Sequence, residues 1–223
     1  MGKKIGAVTI GQSPRTDVVP EILQLMGNIE LVEGGALDGL TYEEITALAP
    51  TAGDYVLVTR LSDGRAVKIA EKYILERLQA QIDRLVKEGA AGIVMLCSGE
   101  FPAFSCPKPL LYPQLLLTNF IQAVAGGKKL GIITPDADQV PQVTKRWAAA
   151  GVAAVQARPA SPYAAEAKIW QAADALKDWG AELIVMDCIG FNQSMRNEVT
   201  RITGVPAVLP RTVAARAVAE LFA

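Results

Sequence analysis

The sequence contains no histidine. That removes Ser-His-Asp and Cys-His catalysis, imidazole general-base chemistry and nearly every zinc site built on imidazole. Cysteine is scarce too: Cys97, Cys106 and Cys188 are separated by 9 and 82 residues, and Cys-x-x-Cys does not occur. These spacings match neither a zinc-binding pattern nor a dithiol redox motif, so no metal is expected. A Walker loop and G-x-G-x-x-G are both missing. "AVAGGKKLGI" places its glycines and lysines before a strand rather than after one, where a phosphate cradle needs them. Neither sign of charge is in excess, with 22 basic and 23 acidic residues spread along the chain. Nucleic acid is therefore not an expected partner. The longest apolar runs, such as "AAGIVML", are too short to span a bilayer, and "MGKKIGAVTIG" lacks the cleavage pattern of a signal peptide. No membrane partner is expected, and the cytoplasm, where thiols stay reduced, is the expected compartment. Chemistry is left to cysteine, carboxylates, hydroxyls, Lys, Arg, Tyr and backbone amides.

What is present is abundant apolar material: 51% of 223 residues are hydrophobic and 20% charged. Short β-branched runs alternate with helical stretches, the pattern of parallel sheets covered by helices. Strands are expected at 3–11, 29–37 and up to Cys97, with a short strand within 102–113. "LTYEEITALAP" reads as a short helix, with Thr41 and Glu44 at capping-box spacing. The stretch 55–70 reads as a β-hairpin turning at Asp63-Gly64, followed by a long amphipathic helix over about 69–88 that stops at Gly89.

The second half repeats the first. "KKIGAVTI" (3–10) is answered by "KKLGIITP" (128–135), and "DVVP" (17–20) by "DQVP" (138–141). Residues 85–100 and 176–191 match at eight of sixteen positions: Leu, Gly, Ala, Ile, Val, Met, Cys and Gly. "PLLYP" (109–113) is echoed by "PAVLP" (206–210). Four echoes in one order predict two pseudo-symmetric α/β lobes, 1–110 and 111–210, each a mostly parallel sheet flanked by helices. The first lobe is enlarged around 41–68. A single doubly wound domain whose buried strands merely look alike is the competing architecture.

Ligands of parallel α/β sheets bind beyond the carboxyl ends of strands. Cys97 and Cys188 fall at two such ends. If the lobes face each other, the thiols lie on opposite walls of one cleft, suited to removing a proton from one face of a carbon and returning one to the other. A thiol, with its reference pKa of about 8.5, can take either role when that value is lowered by amide dipoles. The carbanion formed needs donors. Candidates are Gly11, Gln12, Ser13 and Arg15 in "GQSPR", Thr134 in "TPD", Ser98 after the first thiol, and Asn192 and Gln193 after the second. Arg15 or Arg60 could pair a substrate carboxylate bidentately. Asp187 could orient the site or merely cap a turn. A buried cysteine is also an ordinary small hydrophobe, and a repeat would keep one for packing alone. Cys106 has no counterpart in the second half.

"TIGQSPRTD", "LVTRLSDG" and "MDCIGFNQ" resemble the AroM family over essentially the whole chain. More distantly, two lobes with one strand-end cysteine each resemble the aspartate/glutamate racemase superfamily, which includes amino-acid and hydantoin racemases, maleate isomerase and arylmalonate decarboxylase. The resemblance implies a cofactor-free enzyme with its active site between the lobes, and a last helix, 211–223, that joins the first lobe. Two departures stand out. Amino-acid racemases of this group follow the first cysteine with Asn-Thr, where this chain has Ser98-Gly99. They set the second in Gly-Cys-Thr, where this chain has Asp187-Cys188-Ile189. Together these features predict a racemase, isomerase or lyase acting on a small carboxylate or cyclic amide through Cys97 and Cys188. The alternative is a non-catalytic protein that binds a small metabolite. The 55–68 hairpin offers an edge through which a homodimer could form.

Overall fold

The computed structural model describes residues 2–223. The chain divides into two compact units, Met1–Pro113 with Ala214–Ala223, and Gln114–Val213.

In the first unit, β1 (Lys3–Thr9) lies between β2 (Ile29–Gly35) and β5 (Gly92–Leu96), and β6 (Leu110–Leu111) extends the sheet beyond β5. All three pairings are parallel. Every residue of β5 and the last five of β1 are buried, as continuous apolar runs in a sheet covered on both faces should be. Between β2 and β5 come α2 (Tyr42–Thr46), the antiparallel hairpin β3 (Val56–Arg60) and β4 (Ala66–Ala70), and α3 (Leu75–Lys87). Helix α1 (Val19–Met26) links β1 to β2. The Thr41–Glu44 capping box forms as expected. The helix expected from 69 starts at Leu75 instead. Ile69 and Ala70 are consumed as β4 pairing with β3, and a short 3-10 turn at Glu71–Tyr73 intervenes.

The second unit has the same plan. Its strands β7 (Leu130–Thr134), β8 (Val155–Pro159), β9 (Leu183–Met186) and β10 (Ala207–Val208) are ordered β8-β7-β9-β10, matching β2-β1-β5-β6. All are parallel. Helices α4 (Pro113–Ala125), α5 (Val140–Ala149), α6 (Ala167–Asp178), α7 (Gln193–Thr203) and α8 (Pro210–Phe222) complete the chain. The first turn of α8 belongs to the second unit and the rest to the first.

The repeat extends to packing. A Cβ on Gly6 would meet Leu85 and Ile93, and one on Gly131 would meet Leu176 and Ile184. Each glycine lets a covering helix approach the central strand. Leu85/Leu176 and Ile93/Ile184 are themselves matched pairs of the ninety-one-residue echo. Helices α1 and α5 likewise both open with proline in their first turn. The expected two-lobed α/β architecture is the one observed. Among the described residues, no helix is long and apolar enough to cross a membrane.

Candidate functional site

Cys97 directly follows β5, and Cys188 lies two residues beyond the equivalent strand β9. Both side chains belong to their unit's apolar cluster, beside Leu57 and Met95 in one and Met186 and Phe191 in the other. Neither is sealed: Cys97 retains 8% and Cys188 7% exposure, where Met95 and Met186 have none. Each sulfur accepts the backbone N–H of the glycine two residues on, from Gly99 at 3.3 Å and from Gly190 at 3.4 Å. An N–H aimed at sulfur favours negative charge there. The hydroxyl of Tyr163 lies 3.9 Å from the Cys188 sulfur. A side chain on Gly190 would run into that tyrosine ring, so the glycine makes room for it.

The turn carrying Cys188 is held from two sides. Asp187, buried, forms an ion pair with buried Arg146 of α5 and accepts the Trp147 indole N–H at 3.2 Å. On the other side of the thiol, Nε of buried Arg211 donates to the Ile189 carbonyl at 2.8 Å. Asp187 therefore anchors the turn through its side chain.

In the first unit the loop after β1 is tied into its surroundings. Ser13 donates its N–H (2.7 Å) and its hydroxyl (2.6 Å) to the Asp38 carboxylate, which also accepts the Gly35 N–H at 2.8 Å. The Ser13–Pro14 peptide is cis. Arg15 is buried, with its guanidinium forked on Asp17 at 2.8 Å twice and a third nitrogen donating to Thr9 Oγ1 at 3.1 Å. Its backbone N–H donates to Glu33 at 2.6 Å. Burial pushes the Glu33 carboxyl above its ordinary pKa, against the lowering pull of that amide. Gln12 turns to the hairpin, its carbonyl oxygen accepting the Ser62 N–H at 2.9 Å and the Ser62 hydroxyl at 2.8 Å. Beyond them lies a cavity of about 210 Å³ lined by Gln12, Arg15, Asp17, Arg60 and Ser62, among others.

Of the residues singled out by sequence, Gln12, Arg15 and Arg60 thus share one cavity. Gly11 lies beside them in the same loop, against Thr59. Ser13 and Asn192 are occupied locally. Asn192 caps α7, accepting the Met195 N–H at 2.8 Å, and Gln193 is the first residue of that helix. Thr134 is buried and donates to Gln139 at 3.3 Å. Ser98 is buried between Cys97 and Gly99. Tyr163, Asp38, Ser62 and Arg146 carry no expectation from sequence. Asp38 in "GGALDGL" has a signal of its own, a carboxylate among glycines just past a strand, which is where backbone donors gather. Among the described residues, no three His, Cys, Asp or Glu side chains gather as a metal site.

The family model for AroM protein matches residues 5–222. The chain belongs to the AroM family. No curated protein matches this AroM chain. Solved structures similar to it include a liganded double mutant of arylmalonate decarboxylase, at 15% identity and TM-score 0.66, covering 98% of this chain and 92% of that one. Allantoin racemase from Klebsiella pneumoniae is similar at 17% identity and TM-score 0.64, covering 98% and 87%. Glutamate racemase from Francisella tularensis in complex with D-glutamate is similar at 11% identity and TM-score 0.63, covering 99% and 81%. At such identities the likeness is one of fold, and the AroM chain shares the fold of the aspartate/glutamate racemases and their relatives.

Proposed function

We propose that this AroM protein is a cofactor-independent racemase, isomerase or lyase acting on a small carboxylate or cyclic amide, with Cys97 and Cys188 as its acid and base. The observation that carries this is the equivalence of the two thiols. They follow matched strands of two units with one strand order, and each sulfur receives the amide of a glycine two residues on. Packing alone would preserve a small apolar side chain at both positions, but it gives no reason for both sulfurs to accept an N–H.

In the proposed reaction one thiolate takes the proton from the substrate carbon. The electron pair of the broken C–H bond moves into the adjoining carbonyl group. The other thiol then protonates the carbon from the opposite face, and the charge ends on its sulfur. The sum is inversion with no redox change. In a lyase variant, loss of carbon dioxide would leave the same electron pair for one thiol to protonate. Backbone amides at the strand ends are the donors best suited to the developing charge, because Ser13 and Asn192 are already engaged.

The test is turnover-linked exchange. In deuterated buffer a panel of α-substituted carboxylates and hydantoin-type amides should gain deuterium at the reacting carbon. Cys97→Ser and Cys188→Ser should each abolish net inversion while leaving the circular dichroism spectrum and thermal midpoint near wild type. Full turnover in both single variants would exclude the two-thiol chemistry. A metabolite-binding role without turnover is favoured by one observation: Ser98-Gly99 and Asp187-Cys188-Ile189 replace the motifs that flank the thiols in amino-acid racemases. Thiols in such a protein would alkylate slowly near neutral pH, and ligand would not protect them.

A further inference from the structure

The cavity at the end of β1 has a one-sided hydrogen-bond inventory. Gln12 spends its carbonyl oxygen on two donors from Ser62, which turns its NH₂ into the unengaged end of the amide. The Ser62 hydroxyl has given its proton to Gln12. Arg15 and Asp17 neutralise each other across a bidentate pair. Arg60 is different. Its Nε donates to the Gly64 carbonyl at 3.3 Å, which steadies the guanidinium on the hairpin, and its two terminal nitrogens have no partner among the described residues. Besides Thr16 and the Arg15-paired Asp17 carboxylate, the wall therefore offers N–H donors and a single net positive charge.

We infer that this cavity is a carboxylate subsite, with Arg60 as the ion-pair partner and the Gln12 NH₂ as a second donor. A flat anion with two acceptor oxygens matches the guanidinium fork. One net positive charge, with the Asp17 carboxylate in the same wall, suits a carboxylate group, which carries one charge, better than a phosphate dianion, which concentrates two on one group. The volume, about 210 Å³, is several times a water's share of about 30 Å³, so a short carbon chain fits as well as the charged group. The subsite also stands beside the proposed chemistry. β1 and β5 are parallel with Thr9 opposite Leu96, so the loop bearing Gln12 and the turn bearing Cys97 leave the sheet side by side. Resting on the two-thiol proposal, this assignment decides between its two substrate classes: the substrate is a carboxylic acid, not an uncharged cyclic amide.

The full-length protein, labelled with nitrogen-15, is titrated with acetate, succinate and inorganic phosphate at fixed ionic strength. The signals followed are the Arg60 Nε–H and the Ser62 backbone N–H. Acetate and succinate should shift both saturably, and phosphate should bind more weakly. Arg60→Gln should weaken succinate binding by about 10- to 100-fold, the loss of a charge-assisted pair. Gln12→Glu, nearly isosteric and still able to accept from Ser62, should do the same by placing a negative charge where a donor stood. Binding should persist in the Cys97→Ser/Cys188→Ser double variant. Failure of the thiol chemistry and failure of the subsite are thereby distinguished. The assignment is overturned if neither carboxylate shifts these signals saturably, if Arg60→Gln binds succinate as the wild type does, or if phosphate binds as tightly as succinate.

Discussion

The Tyr163 hydroxyl and the Cys188 sulfur are 3.9 Å apart, while the Gly190 amide reaches the same sulfur at 3.4 Å. A hydroxyl and an amide N–H therefore meet at one thiol, and the Gly99 amide holds the matching place at Cys97. Tyr163→Phe removes that hydroxyl without changing the ring. The expected result is slower alkylation of Cys188 by iodoacetamide at neutral pH, by about five-fold for roughly 1 kcal/mol, with Cys97 unaffected. Peptide-level mass spectrometry of labelling rates checks this, and equal rates in variant and wild type would show that the hydroxyl is only a packing neighbour.

Gly190→Ala makes the complementary test. The added methyl would meet the Tyr163 ring and Pro162. Overpacking of this kind costs about 1–3 kcal/mol. The thermal midpoint should fall, and Cys188 labelling should slow as it does in Tyr163→Phe, because the hydroxyl is pushed aside.

The Arg146–Asp187 pair is buried, with side-chain exposures of 5% and 1%. Removing one partner of such a pair strands the other charge and costs about 3–5 kcal/mol. Arg146→Ala should lower unfolding stability by that amount in urea titrations. Asp187→Asn, which keeps an acceptor for the Trp147 indole, should cost less than Asp187→Ala.

Asp54 governs a pH-dependent tie in the first unit. Its carboxylate holds the Lys72 ammonium and the N–H and hydroxyl of Thr51, and these bonds lower its pKa from 3.8 to about 2. A carboxyl depressed on folding contributes stability that is whole above 3.8 and is lost as the pH falls through about 2. Thermal midpoints measured from pH 5 down to pH 2 should therefore fall more steeply in wild type than in Asp54→Asn. Parallel curves would contradict this.

Phe222 lies with its ring against Gly92, the first residue of β5, in a space any larger side chain would fill. Phe222→Ala should destabilise the protein by about 3–5 kcal/mol, and chemical denaturation measures it.

Features with local causes were legible in the sequence. The hairpin showed because Asp63-Gly64 separates two β-branched runs, and the two-unit plan showed because echoed strands carry echoed glycines and leucines. The helix start was not legible: Ile69 and Ala70 read both as the end of the hairpin and as the start of a helix until pairing with β3 claims them. The candidate site was legible at the thiols and at Gln12, Arg15 and Arg60, which hydrophobic periodicity leaves as polar residues at strand ends. Ser13 looks identical by that criterion, yet its partner Asp38 lies twenty-five residues away and only folding brings them together. Tyr163 lies in "SPYAAEA", where no period or spacing marks one residue over its neighbours.

Because Phe222 rests on Gly92 while Gln114–Val213 forms a unit without interruption, order of birth and order of completion differ during synthesis. The segment translated first gains the Phe222–Gly92 contact only once the helix that ends at Phe222 has been made. Gln114–Val213 has by then been made in full. The older unit is thus the last to receive all of its residues, ten of which are encoded beyond the younger one.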